Sequence, residues 1–150
     1  MKYFLIIVLL FTFSVKANTI HVGKKYPIKS VKKAIKLAKV GDTIIVHEGL
    51  YKEGNIIIDK KIVFLGKDLP VLDGEKKYEV LSVKADSVVV DGFKVIRSSY
   101  ATITDPCGIK VYNRNRVVIQ NNILDDNFFG IYLQNCQNCL ALSLCRSLQY

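Results

Sequence analysis

The chain has 150 residues, a net charge of +9, four cysteines and one methionine. That length suits one domain. All four cysteines fall at or after Cys107, which excludes a disulfide framework, because everything before Cys107 must fold without one. Basic and aromatic residues are not interleaved, so nucleic acid is not an expected partner.

Residues 1–17 open with Lys2, continue as an apolar run from Tyr3 to Phe13 and end in Val15-Lys16-Ala17. This is the layout of a secretory signal peptide cleaved after Ala17. The run is too short for a bilayer span, which takes about 20 apolar residues. The expected mature chain begins at Asn18 and is exported to the periplasm. Loss of Lys2 and Lys16 leaves it 20 basic against 13 acidic residues, a net +7. The excess is concentrated in Lys24, Lys25, Lys29, Lys32, Lys33, Lys36 and Lys39. A solvated helix face accounts for these lysines, although such a field also suits an acidic partner or anionic headgroups.

Residues 18–41 read as a strand–helix cap. Residues 19–22 alternate as a short strand. Ile28, Val31, Ile35 and Ala38 then recur at helical spacing, with Ala34 and Leu37 widening the apolar stripe. Ser30 is the expected N-cap, and Gly41 stands where a left-handed terminator belongs.

From residue 42 to 139 the character changes. Short runs of strand composition recur at 43–46, 55–58, 62–65, 80–83, 87–90, 94–96, 108–112, 117–119 and 130–133. Hairpin turns are largely missing, and Asp91-Gly92 joins runs too brief for an antiparallel pair. A repeat is present instead. Gly108, Ile109, Val111 and Asn113 return twenty-two residues later as Gly130, Ile131, Leu133 and Asn135. One unit cannot bury its own apolar face, whereas stacked units share a continuous core. Leucine-rich repeats have a similar period but need a leucine framework and a helical return, and both are missing. The Asn121-Asn122 pair suits a solenoid bend. The expected fold is therefore all-β, a right-handed parallel β-helix behind a strand–helix cap. Residues 140–150 read as an off-pattern tail, with Ser143-Leu144 where an Asn pair is due.

The stretch GDTIIVHEGLYKEGNIIIDKKIVFLG, together with the preceding SVKKAIKLAKVGD, resembles the opening of periplasmic β-helix proteins of the carbohydrate-binding and sugar-hydrolase type. IIIDKKIVFLGKDLPVLDG is most similar to the NosD family, accessory proteins for copper-centre maturation of nitrous oxide reductase. The resemblance runs from Thr19 to about Asn138. It implies a periplasmic non-enzyme acting with an ABC transporter and the reductase, touching the membrane only through those partners. Copper is the cofactor it brings into question, and the off-pattern tail leads one to expect a truncated or frame-shifted gene. The alternative is a polysaccharide-binding or lyase-like solenoid.

Copper needs soft or imidazole ligands. The expected mature chain has no methionine and two histidines, His21 on the cap strand and His47 after the first coil strand, so these are the candidate metal residues. Cys136-x-x-Cys139 is a single pair, short of a structural zinc site and without the helix N-terminus of a redox motif; a disulfide or chance spacing accounts for it. A carbohydrate-active site would draw on Asp125-Asp126, with Asp105, Arg97 and Arg114 on neighbouring coils and Tyr100, Phe128, Phe129 and Tyr132 as stacking platforms. Adjacent aspartates in a bend are more often turn formers, so no catalytic residue is assigned.

Overall fold

The computed structural model describes residues 17–100 and 105–146, the side chains of 145 and 146 excepted; all but Ala17 of the signal-peptide stretch lies outside them. Among the described residues β1 (Thr19–Val22) and α1 (Val31–Leu37) come first, and the chain then climbs in parallel coils. The first turn carries β2 (Thr43–Val46), β3 (Leu50–Tyr51) and β4 (Ile56–Ile58). The second carries β5 (Val63–Gly66), β6 (Val71–Asp73) and β7 (Leu81–Val83), and the third β8 (Val89–Asp91), β9 (Lys94–Ile96) and β10 (Cys107–Tyr112). The fourth fuses two strands into β11 (Val118–Asp125) before β12 (Phe129–Gln134), and β13 (Leu140–Arg146) opens the fifth. The result is a right-handed parallel β-helix of about five turns, the hand that parallel crossovers take.

Every strand pairing is parallel, so equivalent residues stack in columns. Ile44, Phe64, Val90, Ile119 and Ala141 form one column. Tyr51, Leu72, Val95 and Leu124 form a second. Ile56, Leu81, Ile109 and Ile131 form a third, with Ile58, Val83, Val111 and Leu133 beside it. Alternation along each strand sends these residues inward, and all but Ala141, Ile131 and Leu133 are buried. The Gly108/Gly130 repeat is thus two consecutive rungs, with Ile109 against Ile131 as expected.

The period is not constant. Thr43 pairs with Val63, Val63 with Val89, Val89 with Val118 and Val118 with Leu140, steps of 20, 26, 29 and 22 residues. The paired residues stay in register and the connecting segments differ in length, the longest of them joining β9 to β10. Several corners rest on left-handed residues, among them Asn113, Asn121, Asn135 and Asn138. The Asn135 amide donates to Asn113 Oδ1 at 3.1 Å, linking two corners along the axis. Asn122 is buried: its Oδ1 accepts from Phe93 N at 2.9 Å and its Nδ2 donates to Val90 O at 3.1 Å.

The cap closes the first turn. β1 pairs with β2, and α1 lays Val31, Ala34 and Ile35 on the core. Ser30 accepts from Lys33 N as the N-cap. Glu53, from the corner after β3, reaches back to accept from Val31 N at 2.7 Å, Lys32 N at 3.0 Å and Ser30 Oγ at 2.6 Å, supplying the negative charge that the first turn lacks. Lys60 donates to Ile35 O and Ala38 O at the other end. Buried Asp42 accepts from Asn18 N at 2.9 Å and Lys39 N at 2.8 Å, and these N–H groups hold its carboxyl below the usual range.

Three expectations are corrected. The helix stops at Leu37 with Ala38 as C-cap, so Gly41 is not its terminator although its φ is +92°. Leu37 does not widen the buried stripe but is 55% exposed, because the core side of one short helix is filled by the residues on its opposite arc. Residues 140–146 are no off-pattern tail: they form β13, paired along β11 with a register shift between Gln120 and Ile123 where an Asn pair would otherwise stack. Ser143 meets Asn122 at that shift, through a 3.4 Å hydrogen bond.

Candidate functional site

The two candidate metal residues meet. His21 stands on the outward side of β1 and His47 directly follows β2, and the Val22↔Val46 register brings their side chains together. A 2.9 Å hydrogen bond joins His21 Nδ1 and His47 Nε2. Tyr26 stacks on both rings, with centroids 4.2 Å from His47 and 5.1 Å from His21. Close backbone here depends on Gly23, where a Cβ would lie 3.1 Å from His47 Cβ. Beside the pair is a recess of about 450 Å³ lined by Lys24, Lys25, Tyr26, His47, Glu48 and Asp68. Burial, with the neighbouring His21 and Lys67 charges, lowers the His47 pKa, so this imidazole stays neutral to a lower pH than a free one.

Neutral imidazole is the metal-binding form. Two nitrogens each about 2.0 Å from one ion and at right angles to it lie about 2.8 Å apart, so the 2.9 Å spacing suits adjacent corners of a square-planar copper(II) ion once the shared proton leaves and the rings turn their lone pairs to it, whereas a tetrahedral zinc would hold them about 3.3 Å apart. The donor set fits half a site. Among the described residues no group of three or more His, Cys, Asp or Glu is placed to hold a metal. The remaining positions are left to water or to a donor from another molecule.

The acidic corner is a separate locus. Asp126 accepts from Tyr100 Oη at 2.7 Å and pairs with Lys76 at 3.2 Å, and these contacts keep its carboxyl ionised below the ordinary range. Buried Asp73 is forked by the Arg97 guanidinium and accepts from Glu75 N at 2.8 Å. Burial alone would raise its pKa, but Arg97 and the Glu75 N–H outweigh that and hold it low. Asp125 pairs with Lys94 at 3.6 Å. Arg114 does not join them; it lies at the corner between β10 and β11, its Nε buried without a partner. Each carboxylate is matched by a cation or a donor, the arrangement of structural ion pairs and a poor one for a general acid. Tyr100, Phe128, Phe129 and Tyr132 form a chain of ring contacts 4.8 to 6.3 Å apart along the same flank.

The Asp73–Arg97 contact has a pH signature. A carboxyl with a lowered folded pKa adds stability above its unfolded value of about 3.9 and loses it as the pH falls through the lower folded value. Thermal melts from about pH 6 down to about pH 2 should show Asp73→Asn with a flatter acid limb than the parent chain. Superimposable limbs would remove the contact from the stability of the fold.

Cys107, Cys136 and Cys139 are free thiols. Burial pushes Cys107 up to about 12 and also raises Cys136, so neither is a ready thiolate. At one corner Cys136 Sγ contacts Gln134 O at 3.3 Å and Cys139 Sγ contacts Gln137 O at 3.4 Å. Cys139 Sγ accepts from Val117 N at 3.4 Å, one rung below, as the repeat register implies.

Sequence reasoning singled out the histidines, and the β1–β2 register accounts for their meeting. It missed Tyr26, whose ring packing depends on the loop after Gly23, and the Glu53 clamp, which no local spacing signals. Among the described residues no helix is long and apolar enough to cross a membrane. Comparison with protein families, with curated proteins and with solved structures gave no match.

Proposed function

We propose that the protein is a periplasmic, non-enzymatic β-helix that assists copper-centre maturation of nitrous oxide reductase alongside an ABC transporter, the role implied by its resemblance to the NosD family. The observation that carries this reading is the His21–His47 pair, two imidazoles 2.9 Å apart at the exposed edge of the cap. Copper, when bound, would be held by His21 Nδ1 and His47 Nε2, with Tyr26 fixing the ring planes. A site with two protein donors releases its ion more readily than a closed four-ligand cage, which suits handing metal on rather than storing it.

Calorimetric titration with copper(II) near neutral pH is expected to give one ion per chain. His21→Ala or His47→Ala should each weaken it at least about tenfold, since either removes half of the protein donors. Unchanged affinity in both variants would end the metal role. The maturation role is read separately, as the copper content of reductase from cells lacking this gene; full occupancy there would end it even if copper binds.

A polysaccharide-binding reading rests on the exposed ring chain Tyr100, Phe128, Phe129 and Tyr132 beside Asp126. Retention on insoluble polysaccharide that Phe128→Ala abolishes would favour it over the copper role.

A further inference from the structure

The cap carries a second surface that the histidine pair does not use. Between Asn18 and Gly41 the sequence holds seven lysines and no acidic residue. None of these lysines makes an ion pair among the described residues, and all seven are exposed. Of the nearby carboxylates, Glu53 is bonded to the helix N-terminus, Asp42 to the Asn18 and Lys39 backbone, and Asp59 pairs with Lys60 at 3.8 Å, while Glu48 and Asp68 lie beside Lys24 and Lys25, away from the helix face.

The helix decides how the charge is displayed. At about 100° per residue, Lys32, Lys36, Lys33 and Leu37 occupy one outward arc of about 140°, opposite Val31, Ala34 and Ile35 on the core. Leu37 is 55% exposed within that arc, and Val40, just beyond the helix, is 61% exposed. Alongside runs a groove between Lys32, Lys36 and Lys60 whose wall includes the half-exposed Ile57 and one carboxylate, Asp59, which pairs with Lys60. A basic face with protruding aliphatic side chains has the composition of a helix that lies in the headgroup layer. Soluble acidic polymers would be drawn to the lysines but would gain nothing from Leu37 and Val40.

We propose that this face of α1 and its flanks docks on the surface of an anionic phospholipid bilayer, lysines against the headgroups and Leu37 and Val40 into the acyl boundary. The protein would then contact the membrane directly and not only through partners. This inference stands apart from the copper reading and does not depend on the histidines.

The test is sedimentation of the full chain with phosphatidylglycerol-containing vesicles and with pure phosphatidylcholine vesicles. The apolar amino-terminal run contributes to both, so the difference between them reads the lysine face. Wild type is expected to partition more strongly onto the anionic vesicles, and Lys32→Ala/Lys33→Ala/Lys36→Ala should lose about a hundredfold of that preference at low salt. Leu37→Ser/Val40→Ser should cost about tenfold on the same vesicles. Because all five side chains point to solvent, unchanged melting temperatures should show that the variants fold. Equal partitioning onto both vesicle types, or a triple variant that binds as wild type, would overturn the proposal. So would polyglutamate binding as tight as vesicle binding with the Leu37/Val40 variant unaffected, which would make the face a general polyanion site.

Discussion

Phe64→Ala is expected to lower the unfolding free energy by about 3–5 kcal/mol, the range for removing a buried aromatic ring from a packed core. Phe64 is fully buried in the middle of its column, between Ile44 below and Val90 above, and its ring stacks on Phe93 at 4.3 Å with an 18° tilt. A single domain has only about 5–15 kcal/mol in total, so urea denaturation should show a sharply lowered midpoint. In a solenoid each rung touches only its neighbours. Emptying a central rung therefore also weakens the coupling of the turns on either side. Ile131→Ala is the comparison: Ile131 belongs to the outermost rung of its column and is only partly buried. Its loss should be about 1 kcal/mol. Equal midpoints for the two variants would contradict a single shared column.

Gly66→Ala is the second large effect. Gly66 stacks on Gly92 of the next turn, and a Cβ added there would lie 2.8 Å from the Gly92 carbonyl carbon and closer still to its oxygen. Both obstacles are backbone, so relief requires the two coils to part and their hydrogen bonds to stretch. At least about 2 kcal/mol should be lost, in the range of overpacked cores. Gly92→Ala meets Gly66 O at 2.5 Å and must also hold φ at +84°. Gly41 separates the two causes. Its φ of +92° is as demanding, yet no atom lies within 4 Å of an added Cβ. Gly41→Ala should therefore lose only about 1 kcal/mol, the left-handed backbone cost alone. Chemical denaturation of the three variants measures this directly, and a Gly66 variant no worse than Gly41→Ala would refute the close approach.

These sensitivities also show what can be read in the sequence. Runs such as 43–46 and 94–96 coincide with β2 and β9 because β-branched residues sit where a strand needs them. β3 and β6 escaped notice. Leu50-Tyr51 and Val71–Asp73 are too short to form a run, and they become strands only because each pairs with the coil above or below. β13 was hidden differently: LALSLCR is leucine-rich and lacks bend residues, and its conformation comes from pairing with β11 rather than from local preference. The 22-residue repeat holds for its last step alone, since earlier turns differ in the length of the segments between strands, as in the ten residues from β9 to β10. At the histidine pair the register did the work, as parallel pairing of β1 with β2 puts position 21 beside position 45, with position 47 next along the same face. The contacts that lock the cap, Glu53 to Val31 and Asp42 to Asn18, span 22 and 24 residues and leave no periodic trace.

The Asp42 clasp makes the molecule directional. It ties Asn18 to the first turn, so β1 and α1 seal one end, while on the last rungs β12 and β13 show no further strand partner among the described residues. Amide protons in β2 are then shielded by neighbours on both sides, β1 below and β5 above. Exchange at the first turn therefore has to wait for the clasp and the helix to let go together, and the imidazoles at the cap ride on the part of the molecule that opens as one unit.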